Sequence, residues 1–315
     1  MALLRPSQVD LAEFDRLFES LKNWGVWGAG DELGTLNYLT PERVAAAARL
    51  VLTGRRVSME FPISKTSAPD NLNPPVHMVT LGHDIDVSSG ESFGLDFIGM
   101  ACHGEVHTHV DALCHIAYRG QTYNGRPALE VLKSTGATTM DIAVQHQGIV
   151  GRGVLLDVPR MKGVKWLEPG EAVTAADLEA CEEAEGVSLG EGDILVLRTG
   201  HFGRRQALGP WDVTPGGLGR AGLALDTLPW MKARRIAAFL PDGDGELVPS
   251  QVDGMLYPIH PLQIVAMGLS AADALYLEDV AGACAEENRW EFMVVGLPLR
   301  LPGGTGSPWN PLAIF

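Results

Sequence analysis

Metal-binding side chains crowd one short stretch of this chain. His103, Glu105, His107, His109 and Asp111 stand two residues apart, and His115 follows four residues later. A β-strand sends alternate side chains to the same face, so such a row would present a line of imidazole nitrogens and carboxylate oxygens. The intervening Gly104, Val106, Thr108, Val110 and Ala112 are small or apolar, as suits a face packed on a sheet. Mixed imidazole and carboxylate donors suit zinc, manganese, iron or nickel, and an incomplete ligand set leaves room for water or a substrate oxygen. Scattered histidines usually hydrogen-bond at a surface, but four of the nine here fall between positions 103 and 115.

A divalent ion lowers the pKa of bound water from about 15.7 toward roughly 7 and polarises a carbonyl, which suits hydrolysis of an amide, a formamide or a lactone. His115 lies where the chain can turn back past Ala112-Leu-Cys toward the ligands. Its ordinary pKa near 6.5 suits proton transfer from the attacking water to the leaving group, the alternative being a fourth ligand or a hydrogen-bonding partner of one. His103 and His107 share the expected face and could orient a ligand or touch substrate. His260 either ligates or caps the helix that starts beside it. Glu278 ends the apolar run 274–277 and needs a partner, which a metal would supply. Arg198 would neutralise a carboxylate or form a structural ion pair. Trp27, with Phe61 and Met78, is either a substrate wall or core.

Two other functions fit the same residues. His109-x-Asp111 with a distal His260 has the order of the two-histidine, one-carboxylate triad of non-haem iron oxygenases. An oxygenase of the oxoglutarate type would carry an arginine beyond the distal histidine, and Met267-Gly-Leu-Ser-Ala supplies none. A non-catalytic metal-binding protein, its site saturated by protein ligands, is the third reading.

The elements that must position these residues are mixed. Leu11, Phe14, Leu17, Phe18 and Leu21 recur at helical spacing, and Thr40-Pro41-Glu42 opens a second helix with an N-cap residue and a proline at the first position, so a helical segment spans about 8–52. Strands are expected at 56–61, 76–81, 93–101, along the histidine row, and at 153–158, 193–198, 235–240 and 292–298. Thr174-Ala-Ala-Asp177 is a capping-box variant before a helix to about Glu185, and another helix follows Pro261.

Composition narrows the class. The chain has 315 residues, 46% hydrophobic and 20% charged, and a formal charge of −15, with no Lys/Arg cluster to meet nucleic acid or an anionic membrane. No run of eighteen apolar residues occurs, and Met1-Ala-Leu-Leu-Arg-Pro lacks the apolar stretch of a signal peptide, so a soluble, cytoplasmic protein with a small-molecule substrate is expected. Cys102, Cys114, Cys181 and Cys284 form no CxxC pair and read as buried small hydrophobes. Three signatures fail on context. Gly90-Glu-Ser92-Phe-Gly94 precedes a strand rather than the helix of a nucleophile elbow, and Gly217-Leu-Gly219-Arg-Ala-Gly222 follows turn chemistry and reads as a glycine-rich loop. Asp242-Gly-Asp244-Gly-Glu246 has Leu247 where a calcium loop needs glycine, so it is a turn or the edge loop of an active site.

At the histidine row the chain resembles the cyclase-type metal hydrolases, which include bacterial kynurenine formamidase and isatin hydrolase and carry the motif H-x-G-T-H-x-D-x-P-x-H. Thr108, His109, Asp111 and His115 match its threonine, second histidine, aspartate and last histidine, while Glu105, His107 and Leu113 replace its first histidine, glycine and proline. Similar stretches are Trp27-Gly-Ala-Gly-Asp-Glu-Leu-Gly-Thr-Leu-Asn37, Gly192-Asp-Ile-Leu-Val-Leu-Arg198-Thr-Gly200, Tyr257-Pro-Ile-His260 with Leu277-Glu278-Asp279, and Gly303-Gly-Thr-Gly-Ser-Pro. The resemblance implies ligation by His109 and Asp111, with Glu105 at the first histidine's place, and proton transfer by His115. It implies that His260 and Glu278 hold a second ion with the shared Asp111. It further implies one α/β domain over 1–315, of the swivelling β/β/α type, with a mixed curled sheet and helices outside. One or two zinc or manganese ions and a homodimer or homotetramer complete the expectation.

Overall fold

Two apolar layers sandwich the central strands, and strand alternation decides which residue faces which layer. Leu155, Ile194, Val196, Ala238 and Leu240 enter one buried cluster, whereas their neighbours Val154, Leu156, Leu195, Leu197 and Phe239 enter the other. Strands covered on both faces become continuous hydrophobic runs, which is how these segments read in sequence. The computed structural model describes residues 7–84 and 89–315. The opening Met1–Pro6, read above for a leader, lies outside them.

Nine strands form one curled sheet: β1 (Arg56–Ser58), β2 (His109–Asp111), β3 (Ile149–Asp157), β4 (Ile194–Arg198), β5 (Ala238–Pro241), β6 (Ser270–Asp273), β7 (Glu291–Gly296), β8 (Gly306–Pro308) and β9 (Leu312–Ile314). Their order is β1-β9-β7-β3-β4-β5-β6-β2-β8. The run β3-β4-β5-β6 is parallel and the remaining pairings are antiparallel. The mixed α/β class expected from sequence is the one observed.

Helices begin where their caps put them. Asp10 accepts from the Glu13 N–H and Thr40 from the Arg43 N–H, while Thr174 and Asp177 close a reciprocal capping box ahead of Ala175–Glu185. The helix Leu11–Leu21 buries Phe14, Phe18 and Leu21. Val76–Leu81 and Leu95–Gly99 pair as a separate two-stranded ribbon. No helix among the described residues is long and apolar enough to cross a membrane.

The histidine row departs from expectation. Only His109–Asp111 is strand, and 102–107 is a bent loop. A strand needs neighbours, and the pairings of β2 end at His109, which faces Asp273 of β6 and Pro308 of β8. Beyond Asp273 the chain turns away at Ala274, where φ is 56°. The segment before Thr108 therefore has no ladder to join, and its side chains are not held to one face.

The segment after Pro261 forms a π-helix, Pro261–Met267, whose residues are all buried and which ends at Gly268 with φ of 62°. A Cβ at Gly268 would lie 2.4 Å from a Tyr123 ring carbon. Gly268→Ala combines left-handed strain with a clash, and should cost about 2 kcal/mol or more in denaturant unfolding while loosening the helix that follows His260.

Candidate metal centre

Register brings three ligand side chains to one face. His109 and Asp111 are two apart on β2, and Asp273 of β6 is the direct cross-strand partner of His109. The opposite face carries Val110 and Ala272, both in the core. Two further histidines come from outside the sheet: His103 returns from the bent loop, and His260 stands at the start of the π-helix. Room for His103 depends on Gly306, opposite Asp111, where a Cβ would lie 2.6 Å from the His103 ring.

Ligand atoms of His103, His109 and Asp111 lie within 4.8 Å of one another, as do those of Asp111, His260 and Asp273. His109 Nε2 is 3.7 Å from both Asp111 Oδ1 and Asp273 Oδ2, and His260 Nε2 is 3.5 Å from Asp273 Oδ2. Each histidine spends its other nitrogen on a fixed protein partner. His109 Nδ1 meets the His107 carbonyl at 2.8 Å, His103 Nε2 meets Thr305 Oγ1 at 2.9 Å, and His260 Nδ1 meets Glu246 Oε1 at 2.7 Å. Such bonds set the tautomer and aim the free nitrogen at a metal.

Asp111 tests whether a cation fits. Its side chain is 2% exposed and neither carboxylate oxygen has a hydrogen-bond partner. His103 Nδ1 approaches Oδ1 to 2.9 Å but out of hydrogen-bond alignment. A buried, unbonded carboxylate is costly unless a cation compensates it, so the donor set fits one or two divalent ions sharing Asp111. Burial alone would raise Asp111, yet the His103 contact and the adjacent histidines hold it well below the usual carboxylate range. Burial opposes charge on His103 and His260 too, but contact with Asp111 and Cys102 raises His103 to about 10, and contact with Asp273 and Glu246 pushes His260 well above 6.5, so in the metal-free protein these rings hold protons that a bound ion would displace. His115 lacks such a contact, and burial lowers it to about 4, leaving a neutral ring at pH 7.

A cavity of about 310 Å³ opens on these ligands. His115 lines it, stacked on His103 at 3.7 Å between ring centroids, and Glu105, Ile116, Asp244 and Tyr257 complete the wall.

Several residues expected at the site are elsewhere. Glu278 is not on this cavity: both its oxygens bind the Arg198 guanidinium, at 3.1 and 2.7 Å, and Asp273 supplies the carboxylate beside His260. Arg198 also binds Asp157 at 2.8 Å, making it an ion-pair residue away from the ligands. Glu105 reaches the cavity but belongs to neither ligand group, because the buried Arg220 holds its carboxylate. His107 turns away, its Nε2 3.2 Å from the Ser64 carbonyl, toward a neighbouring cavity that also touches Asp70 and Asn71. Trp27 packs edge-on against Tyr38, and Phe61 stacks on Phe202. Met78 is exposed on the ribbon. Cys114 is buried, its thiol pushed up to about 12.

Residues not anticipated are Asp273, Glu246, Asp244 and Arg220. The turn Asp242-Gly-Asp-Gly-Glu246 is the edge loop of the site, and Glu246, with 0% exposure, also accepts the Ile259 and His260 N–H groups. Its alternating acids were the available signal. Asp273, a lone acid at the end of an apolar strand, offered a weaker one.

The family model described as "Putative cyclase" matches residues 57–243. A crystal structure described as a novel cyclase is 34% identical over 93% of this chain and 99% of its own, with a TM-score of 0.81. The chain belongs to the cyclase family. Isatin hydrolase A from Ralstonia solanacearum is 18% identical over 87% of this chain and 97% of its own, with a TM-score of 0.56. An isatin hydrolase bound to the product analogue thioisatinate is 19% identical over 87% and 98%, also at 0.56. At those identities the likeness is one of fold. No curated protein matches this cyclase-family chain.

Glu246→Gln keeps the shape of the acid but weakens its hold on the His260 ring. Metal affinity should fall by about 10 to 100-fold, read by competition with a chelating dye, while unfolding remains cooperative.

Proposed function

We propose that this cyclase-family protein is a metal-dependent hydrolase that opens a cyclic amide or imide, or cleaves a small amide, formamide or lactone. The observation that carries the reading is the pair of ligand groups sharing one buried, unbonded Asp111 beside an open cavity. The open cavity argues against a metal site saturated by protein ligands. The isatin hydrolases that share the fold support a cyclic-amide substrate. Zinc or manganese suits the mixed nitrogen and oxygen donors.

His103, His109 and Asp111 would hold one ion, and Asp111, His260 and Asp273 a second. A divalent ion supplies an acidified water and a polarised carbonyl. His115 faces the cavity as a neutral ring able to take a proton from the attacking water at an imidazole nitrogen and return it to the leaving nitrogen or oxygen. Its stacking on His103 fixes the plane in which that proton moves. Tyr257 and Ile116 give the cavity an apolar side suited to a small ring.

Elemental analysis of the purified protein should find close to two equivalents of zinc or manganese, none in Asp111→Ala and about one in His260→Ala. Full metal content in Asp111→Ala would sink the site assignment. His115→Ala should keep its metal and lose about 10² to 10⁴-fold in kcat/KM on formanilides, cyclic imides or lactones. Metal-loaded wild type inert toward all three classes would reject the hydrolase reading.

A further inference from the structure

Three side chains without a role so far meet at one wall of the cavity. Glu105 comes from the bent loop, Arg220 from the glycine-rich loop 217–222, and Asp244 from the turn 242–246. The glycines permit the meeting. A Cβ at Gly219 would lie 2.2 Å from the Val248 carbonyl oxygen, and one at Gly222 2.2 Å from the Glu246 backbone, so the loop lies directly against the segment carrying Asp244. Arg220 exchanges backbone hydrogen bonds with Val248, both at 3.1 Å, which locks the register.

The guanidinium of Arg220 sits behind the wall. It is 1% exposed and does not line the cavity, whereas Glu105 and Asp244 do. Its Nη1 donates to Glu105 Oε2 and its Nη2 contacts Asp244 Oδ2, yet Nε and Nη2 lack an aligned acceptor. One cation thus faces two carboxylates. Asp244 Oδ1 accepts only the Glu246 N–H, at 3.0 Å, and Glu105 Oε1 has no hydrogen-bond partner among the described residues. The nearby Glu246 is already engaged by His260. With Asp111 and Asp273 placed among the metal ligands, the acid of this wall that keeps an open acceptor is Glu105, through Oε1.

We propose that Glu105 and Asp244, gripped from behind by Arg220, form the subsite that recognises an ammonium or N–H donor on the substrate, so that the substrates are small amides carrying an amino group and not a carboxylate. The proposal rests on the metal-site reading above and narrows its substrate class. An acidic wall repels an anionic substituent by the same physics that attracts a cationic one, and inside a partly desolvated cavity both effects exceed those at a free surface. Glu105 is the main discriminator because its side chain is the more exposed of the two, 31% against 16% for Asp244.

The test is a binding measurement on the metal-loaded full chain with benzohydroxamates, whose hydroxamate anchors on the metal, carrying a para aminomethyl, hydroxymethyl or carboxylate group. Titration calorimetry should rank them aminomethyl, hydroxymethyl, carboxylate, with at least a tenfold Kd difference between the ends. Glu105→Gln, a shape-preserving change at a partly exposed position, should shrink that ratio to about two to threefold, and Asp244→Asn should do so independently. Equal or tighter binding of the carboxylate by wild type, or an unchanged ratio in a folded Glu105→Gln, overturns the proposal. Failure of all three compounds to bind overturns it together with the metal site. Because binding is read, absence of hydrolysis would reject the hydrolase reading and leave the subsite standing.

Discussion

Asp111 is the constraint around which the rest of this structure is arranged. Its carboxylate is taken out of water at the sheet face without one hydrogen bond in exchange, a state that buried acids avoid unless a cation compensates them. Two ligand groups share it, His103 with His109 and His260 with Asp273. Each histidine is braced by a carbonyl, a hydroxyl or a carboxylate. The bracing is what separates a metal centre from a chance crowd of donors, since unbraced imidazoles would rotate to find other partners.

The remainder of the fold supplies a rigid frame for that acid. The parallel strands carry apolar layers on both faces, and β2 is attached to their edge by antiparallel pairing with β6, with β8 outside it. Cross-strand register then sets His109 opposite Asp273 with no loop in between. Loops carry what can vary: His103, the Glu105–Arg220–Asp244 wall, and the 242–246 turn that braces His260. The sheet fixes His109, Asp111 and Asp273, and the loops bring the remaining cavity side chains to them, a division common to α/β folds.

Much of this was legible in the chain. The Thr40 cap, the Thr174 capping box, the hydrophobic runs of β3, β4, β5 and β7, the mixed α/β class and the crowding of metal-ligating residue types at 103–115 follow from local chemistry. The two-residue spacing misled in one respect, because alternation holds only where a strand has neighbours. Before Thr108 there are none, so His107 turned to the Ser64 carbonyl and Glu105 went to an arginine while His103 folded back toward Asp111. Glu278 misled for a similar reason. Its sequence context demanded a partner, and Arg198, far away in the chain, met the demand before any metal could.

The sequence by itself determined the crowding of ligand types at 103–115, the strands that are continuous hydrophobic runs, the capped helices, and the family to which the motif belongs. These depend on side-chain type and short-range spacing, which the chain carries explicitly. Only the tertiary structure decided which acid faces which histidine: Asp273 over Glu278 beside His260, Glu246 behind it, and Arg220 between Glu105 and Asp244. Those pairings join residues distant in the chain, and competition between arginines and histidines for a limited number of carboxylates is settled by packing, which no local spacing encodes.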